Sequence, residues 1–339
     1  METKDILKRL CCDFGVSGRE NEMFETVREL LGDNVSDIKQ LPTGTVVATA
    51  GDPDSEYHIM LDAHIDRIGL VVTYIDDEGF IKAEPVGGID LRELPTSAVT
   101  VKGKQELTGI VCALPPHLTK EEKDMTRDKI WIDTGLSAEE VKKYVSQGDT
   151  VILKSRYREM LGNTAAAAAL DNRSGCAALI KTAELLKDKE IRSKVSLVFS
   201  SQEETNESGA KTAAFELSPD ESVVVDVGFA RQEGVPKDKS GEFGGVIISI
   251  APVLSKAVTD RLIGAAEKND IKYYFEVDGS NTGTNADGIA ITKGGIPCGV
   301  LSVPEKNMHT RTEMVCIDDI DRTAQVLVTY ITERGNGNA

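Results

Sequence analysis

The chain has 339 residues, 40% of them hydrophobic, with 56 acidic against 39 basic side chains and a net charge of −17. Length and hydrophobic content suit one large domain or two ordinary ones with a true core, and exclude a disordered chain. The acidic balance argues against nucleic acid or an anionic membrane surface as partner, and no apolar run approaches the roughly 20 residues of a membrane-crossing helix.

In chain order, residues 4–13 and 20–31 read as helices joined by Gly15–Gly18, the second stopped by Gly32. The first is amphipathic with charges throughout, unlike a signal peptide. Cys11, Cys12, Cys112, Cys176, Cys298 and Cys316 are scattered without CxxC spacing, which points to reduced thiols in the cytoplasm. Thr45–Thr49 is a short strand, and Glu56–Asp62 a second that leads into His64-Ile65-Asp66. Spacing of two on an extended segment puts His64 and Asp66 on one face, where the carboxylate can fix the histidine's tautomer and raise its basicity.

From Ile68 to about Gly162 short alternating stretches are divided by Gly, Pro and charged turns, with a helix near Ser137–Val145. This predicts a small β-rich module, residues 68–162, inserted into an α/β domain made of 1–67 and 163–339. His117, after Pro115-Pro116, reads as a structural turn residue.

The α/β texture resumes with Ala165–Gly175 and a helix over Cys176–Leu186, with Asp171 and Asn172 before or inside its first turn. An isolated Asp there is equally an N-cap. The buried strand Val195–Ser200 ends in Glu203 and Glu204, and ligands of open α/β sheets bind beyond the carboxyl ends of strands. Strand Ser222–Val227 carries Asp226 inside an apolar run, costly unless paired or bound to a metal. Strands follow at Gly245–Ile250 and Tyr273–Val277, around a helix at Lys256–Lys268. Gly279–Gly288 is glycine-rich but lacks the Lys-Ser/Thr of a P-loop. Cys298–Val303 leads to Met308-His309-Thr310, and Asp318–Thr332 is a final amphipathic helix. The alternation predicts a three-layer α/β/α domain.

Five potential ligands thus stand at or near strand ends: His64, Asp171, Glu204, Asp226 and His309. Two imidazoles and three carboxylates suit zinc, cobalt or manganese, and they exceed the three protein ligands usual at one catalytic zinc. A bridging carboxylate would let them serve two ions, leaving Glu203 free as a general base and acid.

The segments AHID at 63–66, ALDNRSG at 169–175, SSQEE at 200–204, VDVGFA at 225–230 and VPEKNMHT at 303–310 resemble the glutamyl-aminopeptidase-type metallopeptidases. Those include the TET aminopeptidases and proteins once labelled endoglucanase M. PPHL at 115–118 and IDTGLSAEE at 132–140 resemble the inserted domain of the same family. The resemblance implies a co-catalytic aminopeptidase acting on peptide N-termini, a PDZ-like insert and a homo-oligomer, often a tetrahedral dodecamer. It implies one metal on His64, Asp171 and Asp226, a second on Asp171, Glu204 and His309, Asp66 orienting His64, and Glu203 as general base. Positions nearby depart from the family pattern: Arg67 where Glu is usual, Thr205-Asn206 after the Glu pair, Asn285 for Asp, and Lys306-Asn307 before Met308-His309. Arg67 and Lys306 point to an altered specificity pocket or amine-binding site. The alternatives are a non-catalytic assembly protein on a peptidase fold and, more remotely, a glycosidase. Adjacent Glu203 and Glu204 do not offer the latter two carboxylates flanking one bond.

Overall fold

Four apolar runs become adjacent parallel strands in the order Lys194–Ser200, His58–His64, Glu221–Phe229 and Cys298–Lys306. The computed structural model describes residues 1–115, 117–118 and 125–334, so Pro116 of the PPHL segment lies outside the described residues. Among these, seven further strands extend the four on both sides, mostly by antiparallel pairing, into an eleven-stranded sheet. Side chains alternate across it as the period of two requires. Leu61, Phe199, Val225 and Leu301 join a large core with helices Thr3–Cys11, Met23–Leu31, Leu170–Leu186, Lys256–Lys268 and Ile317–Arg334. Met60, Val198, Val224 and Val300 face the other way, onto helices Ser208–Leu217 and Asn285–Ala290. Helices therefore cover both faces, and the four parallel strands deliver their carboxyl ends to one edge.

The β-rich stretch closes into a barrel of six strands in the order Gly69–Ile75, Ile81–Val86, Trp131–Asp133, Glu106–Val111, Ala98–Lys102 and Thr150–Leu153. It has its own core, including Val72, Val99, Val111, Ile132 and Val151. Its helix Ala138–Tyr144 starts with a full capping box between Ser137 and Glu140. The short strand Arg158–Met160, which falls inside the expected 68–162 module, pairs instead with Thr164–Ala167 of the large sheet. His117 lies exposed in a turn. Among the described residues no helix is long and apolar enough to cross a membrane.

At the amino end of the central strands, Glu221 is buried with its carboxylate tied to Tyr330 and Arg261. The Tyr330 hydroxyl donates to Glu221 Oε1 at 2.6 Å and accepts from Arg261 Nη2 at 3.1 Å. Removing one partner of a buried charged acceptor costs more than the bond itself. Tyr330→Phe should therefore lower stability by about 1–3 kcal/mol, read as a lower midpoint in urea.

Candidate functional site

The five expected ligands come together at the carboxyl edge of the sheet. His64 ends its strand, and Glu204 sits in the short helix Glu203–Asn206 just beyond the neighbouring strand. Asp226 lies within Glu221–Phe229, and His309 follows Cys298–Lys306. Asp171 enters from the start of helix Leu170–Leu186, where Asp171 and Asn172 have non-helical torsions and their peptide bond is cis. One ligand atom from each of His64, Asp171 and Asp226 lies within 4.8 Å of the others, and so does one from each of Asp171, Glu204 and His309. Asp171 belongs to both sets. Its Oδ1 is 3.0 Å from His64 Nε2 and its Oδ2 is 3.3 Å from His309 Nε2. Asp226 Oδ1 is 3.7 Å from His64 Nε2, and Glu204 Oε2 is 3.5 Å from His309 Nε2. Glu203 belongs to neither set; its Oε2 lies 3.9 Å from His64 Nε2.

Asp66 links the pieces. Its Oδ1 is 3.5 Å from His64 Nδ1, its carbonyl oxygen 3.3 Å from the same nitrogen. The same carboxylate accepts the backbone N–H of Glu203 at 3.0 Å and of Glu204 at 3.2 Å. A residue expected only to orient a histidine also seats the glutamate pair. Several further positioning groups carry no sequence signal of their own. Glu313 Oε2 accepts the amides of Leu170 and Asp171 at 2.7 and 3.2 Å. Asn172 Nδ2 donates to the Val225 carbonyl at 2.8 Å, tying Asp171 to the strand of Asp226. Arg173 is fully buried and donates to the carbonyls of Leu10, Asp13 and Phe14 at the end of the first helix. Only Asn172 and Arg173 could have been singled out beforehand, as members of the ALDNRSG segment.

The electrostatics are those of crowded, desolvated carboxylates. Burial pushes Glu204 and Asp226 well above the usual carboxylate range, and Glu203 up to about 7, with Asp171 and Asp66 adding to the last. Burial would raise Asp171 too, but the bonds from His309 and His64 hold it low. His309 rises to about 10, chiefly through its bond to Asp171. Oxygen and imidazole donors converging with this much negative charge fit divalent cations of the zinc and cobalt type.

A model of the M42 glutamyl aminopeptidase family matches residues 44–326. A putative aminopeptidase of Acetivibrio thermocellus is 34% identical over 96% of this chain and 98% of its own. The lysyl aminopeptidase of Pyrococcus furiosus is 30% identical, covering 97% of this chain and 96% of its own. Among solved structures, an aminopeptidase from the archaeon Desulfurococcus kamchatkensis superposes with a TM-score of 0.91 at 30% identity, over 98% of this chain and 94% of its own. A Pyrococcus horikoshii TET1 peptidase, described as assembling into a tetrahedron or a large octahedral shell, gives 0.86 at 29% identity, over 98% and 99%.

Arg67 is buried beside the site. It is 5% exposed, and burial together with Arg173 lowers it to about 10, against the opposing fields of Glu313 and Glu204. Lys306 does line a cleft of about 820 Å³, with Arg231, Gln232 and Phe243 among its neighbours. Asn285 is buried and donates from Nδ2 to Asp62 Oδ2 and Ser200 Oγ, both at 2.8 Å. An aspartate at this position would set two buried carboxylates against each other. Asn285→Asp should cost about 1–3 kcal/mol, measured by urea unfolding.

Proposed function

The chain belongs to the M42 glutamyl aminopeptidase family, and from that membership we propose that it is a metal-dependent aminopeptidase releasing the N-terminal residue of peptides. The observation that carries the reading is Asp171, whose two oxygens address separate histidines 3.0 and 3.3 Å away. That is how a carboxylate shared between two cations is disposed. His64, Asp171 and Asp226 would hold one ion and Asp171, Glu204 and His309 the other. Zinc or cobalt suits both sets, and manganese is compatible with them. Such ions polarise a peptide carbonyl and lower the pKa of water.

The chain's own groups do the rest. Asp66 keeps His64 in one orientation and fixes the amides of Glu203 and Glu204, so all three side chains are placed by one carboxylate. Glu203 stands beside His64 without joining either ion set, and in this reading it is the group that meets a water attacking the scissile carbonyl. It takes the proton of that water and returns it to the leaving amine. A site built only to bind ions needs no such spare acid, which argues against a non-catalytic assembly protein.

The same reading takes the six-stranded barrel as the family's PDZ-like insert and residues 1–67 and 163–339 as the catalytic unit. The insert's edge is drawn back from Gly162 because Arg158–Met160 pairs within the large sheet. It includes a homo-oligomer, a tetrahedral dodecamer by analogy with the TET relatives, located in the cytoplasm, where six free cysteines are at home.

Chelation should abolish release of aminoacyl anilides, and added Zn²⁺ or Co²⁺ should restore it. Glu203→Gln should reduce kcat by about 10²–10⁴-fold with both ions still bound, measured by steady-state kinetics and elemental analysis. Turnover close to wild type in that variant would reject Glu203 as the proton carrier.

A further inference from the structure

We propose that the ion site containing Glu204 and His309 is completed by the barrel, through its Gly87–Gly88 turn. The site containing His64 and Asp226 belongs to the large sheet and its flanking segments alone. This rests on the two-ion reading above.

Gly87 and Gly88 follow the barrel strand Ile81–Val86. The Gly88 carbonyl oxygen lies 3.2 Å from His309 Nδ1. It therefore accepts the Nδ1–H and leaves the Nε2 lone pair free for an ion held together with Asp171 and Glu204. No side chain fits between them: a Cβ on Gly88 would stand 2.7 Å from His309 Nδ1 and 3.0 Å from its Cε1. Gly87 has φ +76°, and a Cβ there would stand 2.8 Å from Ile68 Cγ2 and 3.2 Å from Glu204 Oε2. The turn thus touches both ligands that are peculiar to this one ion site.

A second clamp acts a few residues along. Arg311 donates from its backbone N–H to Glu93 Oε2 at 2.9 Å and from Nη1 to Ser97 Oγ at 3.1 Å. Glu93 and Ser97 lie between the barrel strands Ile81–Val86 and Ala98–Lys102. His309 itself has φ +62°, a left-handed conformation that a non-glycine residue keeps only when its surroundings enforce it. Among the described residues, the polar partners of the His64 ring, by contrast, are Asp66, Asp171, Glu203 and Asp226, none of them in the barrel. Seating of the barrel and loading of the second ion are then one linked equilibrium, each strengthening the other.

The test is a Co²⁺ titration of the metal-free full chain, with circular dichroism to verify folding. Wild type should bind two ions. Gly88→Ala should bind the first with unchanged affinity and the second about 10–100-fold more weakly. Glu93→Ala, which adds no bulk, should weaken the second ion in the same direction and decides the matter if Gly88→Ala does not fold. The control is Gly79→Ala, at φ +100° in a barrel turn remote from the site, where a Cβ would stand 2.5 Å from the Leu136 carbonyl oxygen. It should bind both ions as wild type does. Two ions at wild-type affinity in the folded Gly88→Ala and Glu93→Ala variants would overturn the barrel's role and leave the two-ion reading intact. Equal weakening of the second ion in Gly79→Ala would overturn the assignment to the Gly87–Gly88 turn, because any disturbance of the barrel would then suffice. A wild type that binds a single ion would overturn both.

Discussion

A buried carboxylate, Asp171, has to face two imidazoles at once, and the geometry around it follows from that constraint. Its amide is held by Glu313, and the next residue, Asn172, is bonded to the Val225 carbonyl. Arg173 then anchors the same segment to the end of the first helix. Three consecutive residues therefore fasten one carboxylate to three separate parts of the molecule. Each attachment uses a fully or largely buried polar group, whose loss would leave an unpaired partner away from water.

The parallel strands make this arrangement possible. Because His58–His64, Lys194–Ser200, Glu221–Phe229 and Cys298–Lys306 run in the same direction, residues far apart in sequence emerge at one edge. Asp66 then converts proximity into order. By accepting two amides of the glutamate pair while lying against His64, it makes Glu203 and Glu204 diverge from a fixed turn. Gln202, just before them, is in the left-handed region and has its amide bonded to the buried Glu20. The glutamates are thus displayed by backbone geometry rather than left on a solvated loop.

The parts of the molecule governed by local pattern were legible in the sequence. The buried strands read from Val195, Ser222 and Cys298, the alternating texture after Ile68, and the helix begun by Ser137 all reflect periodicity or capping. The residues His64, Asp171, Glu204, Asp226 and His309 stood out because charged or ligating side chains interrupted apolar runs near strand ends, and because family-like segments surrounded them. Other elements gave weaker signals. Thr164–Ala167 is a strand made largely of alanine, a residue with little strand preference, and it is set by pairing with Glu313–Cys316. The break at Asp171 inside its helix was likewise hidden, since nothing local demands it. The barrel's contribution to His309 depends on tertiary contact between Gly88 and a residue 221 positions away, which no spacing rule reaches. The burial of Arg67 was hidden for a related reason: its charge was visible in the sequence, but the packing around it was not.

The most direct test of the shared carboxylate is anomalous diffraction from crystals of the zinc- or cobalt-loaded protein. The account predicts two peaks per chain, about 3.5–4 Å apart, one on each side of Asp171. A single peak, or two peaks with Asp171 bound to only one of them, would contradict it.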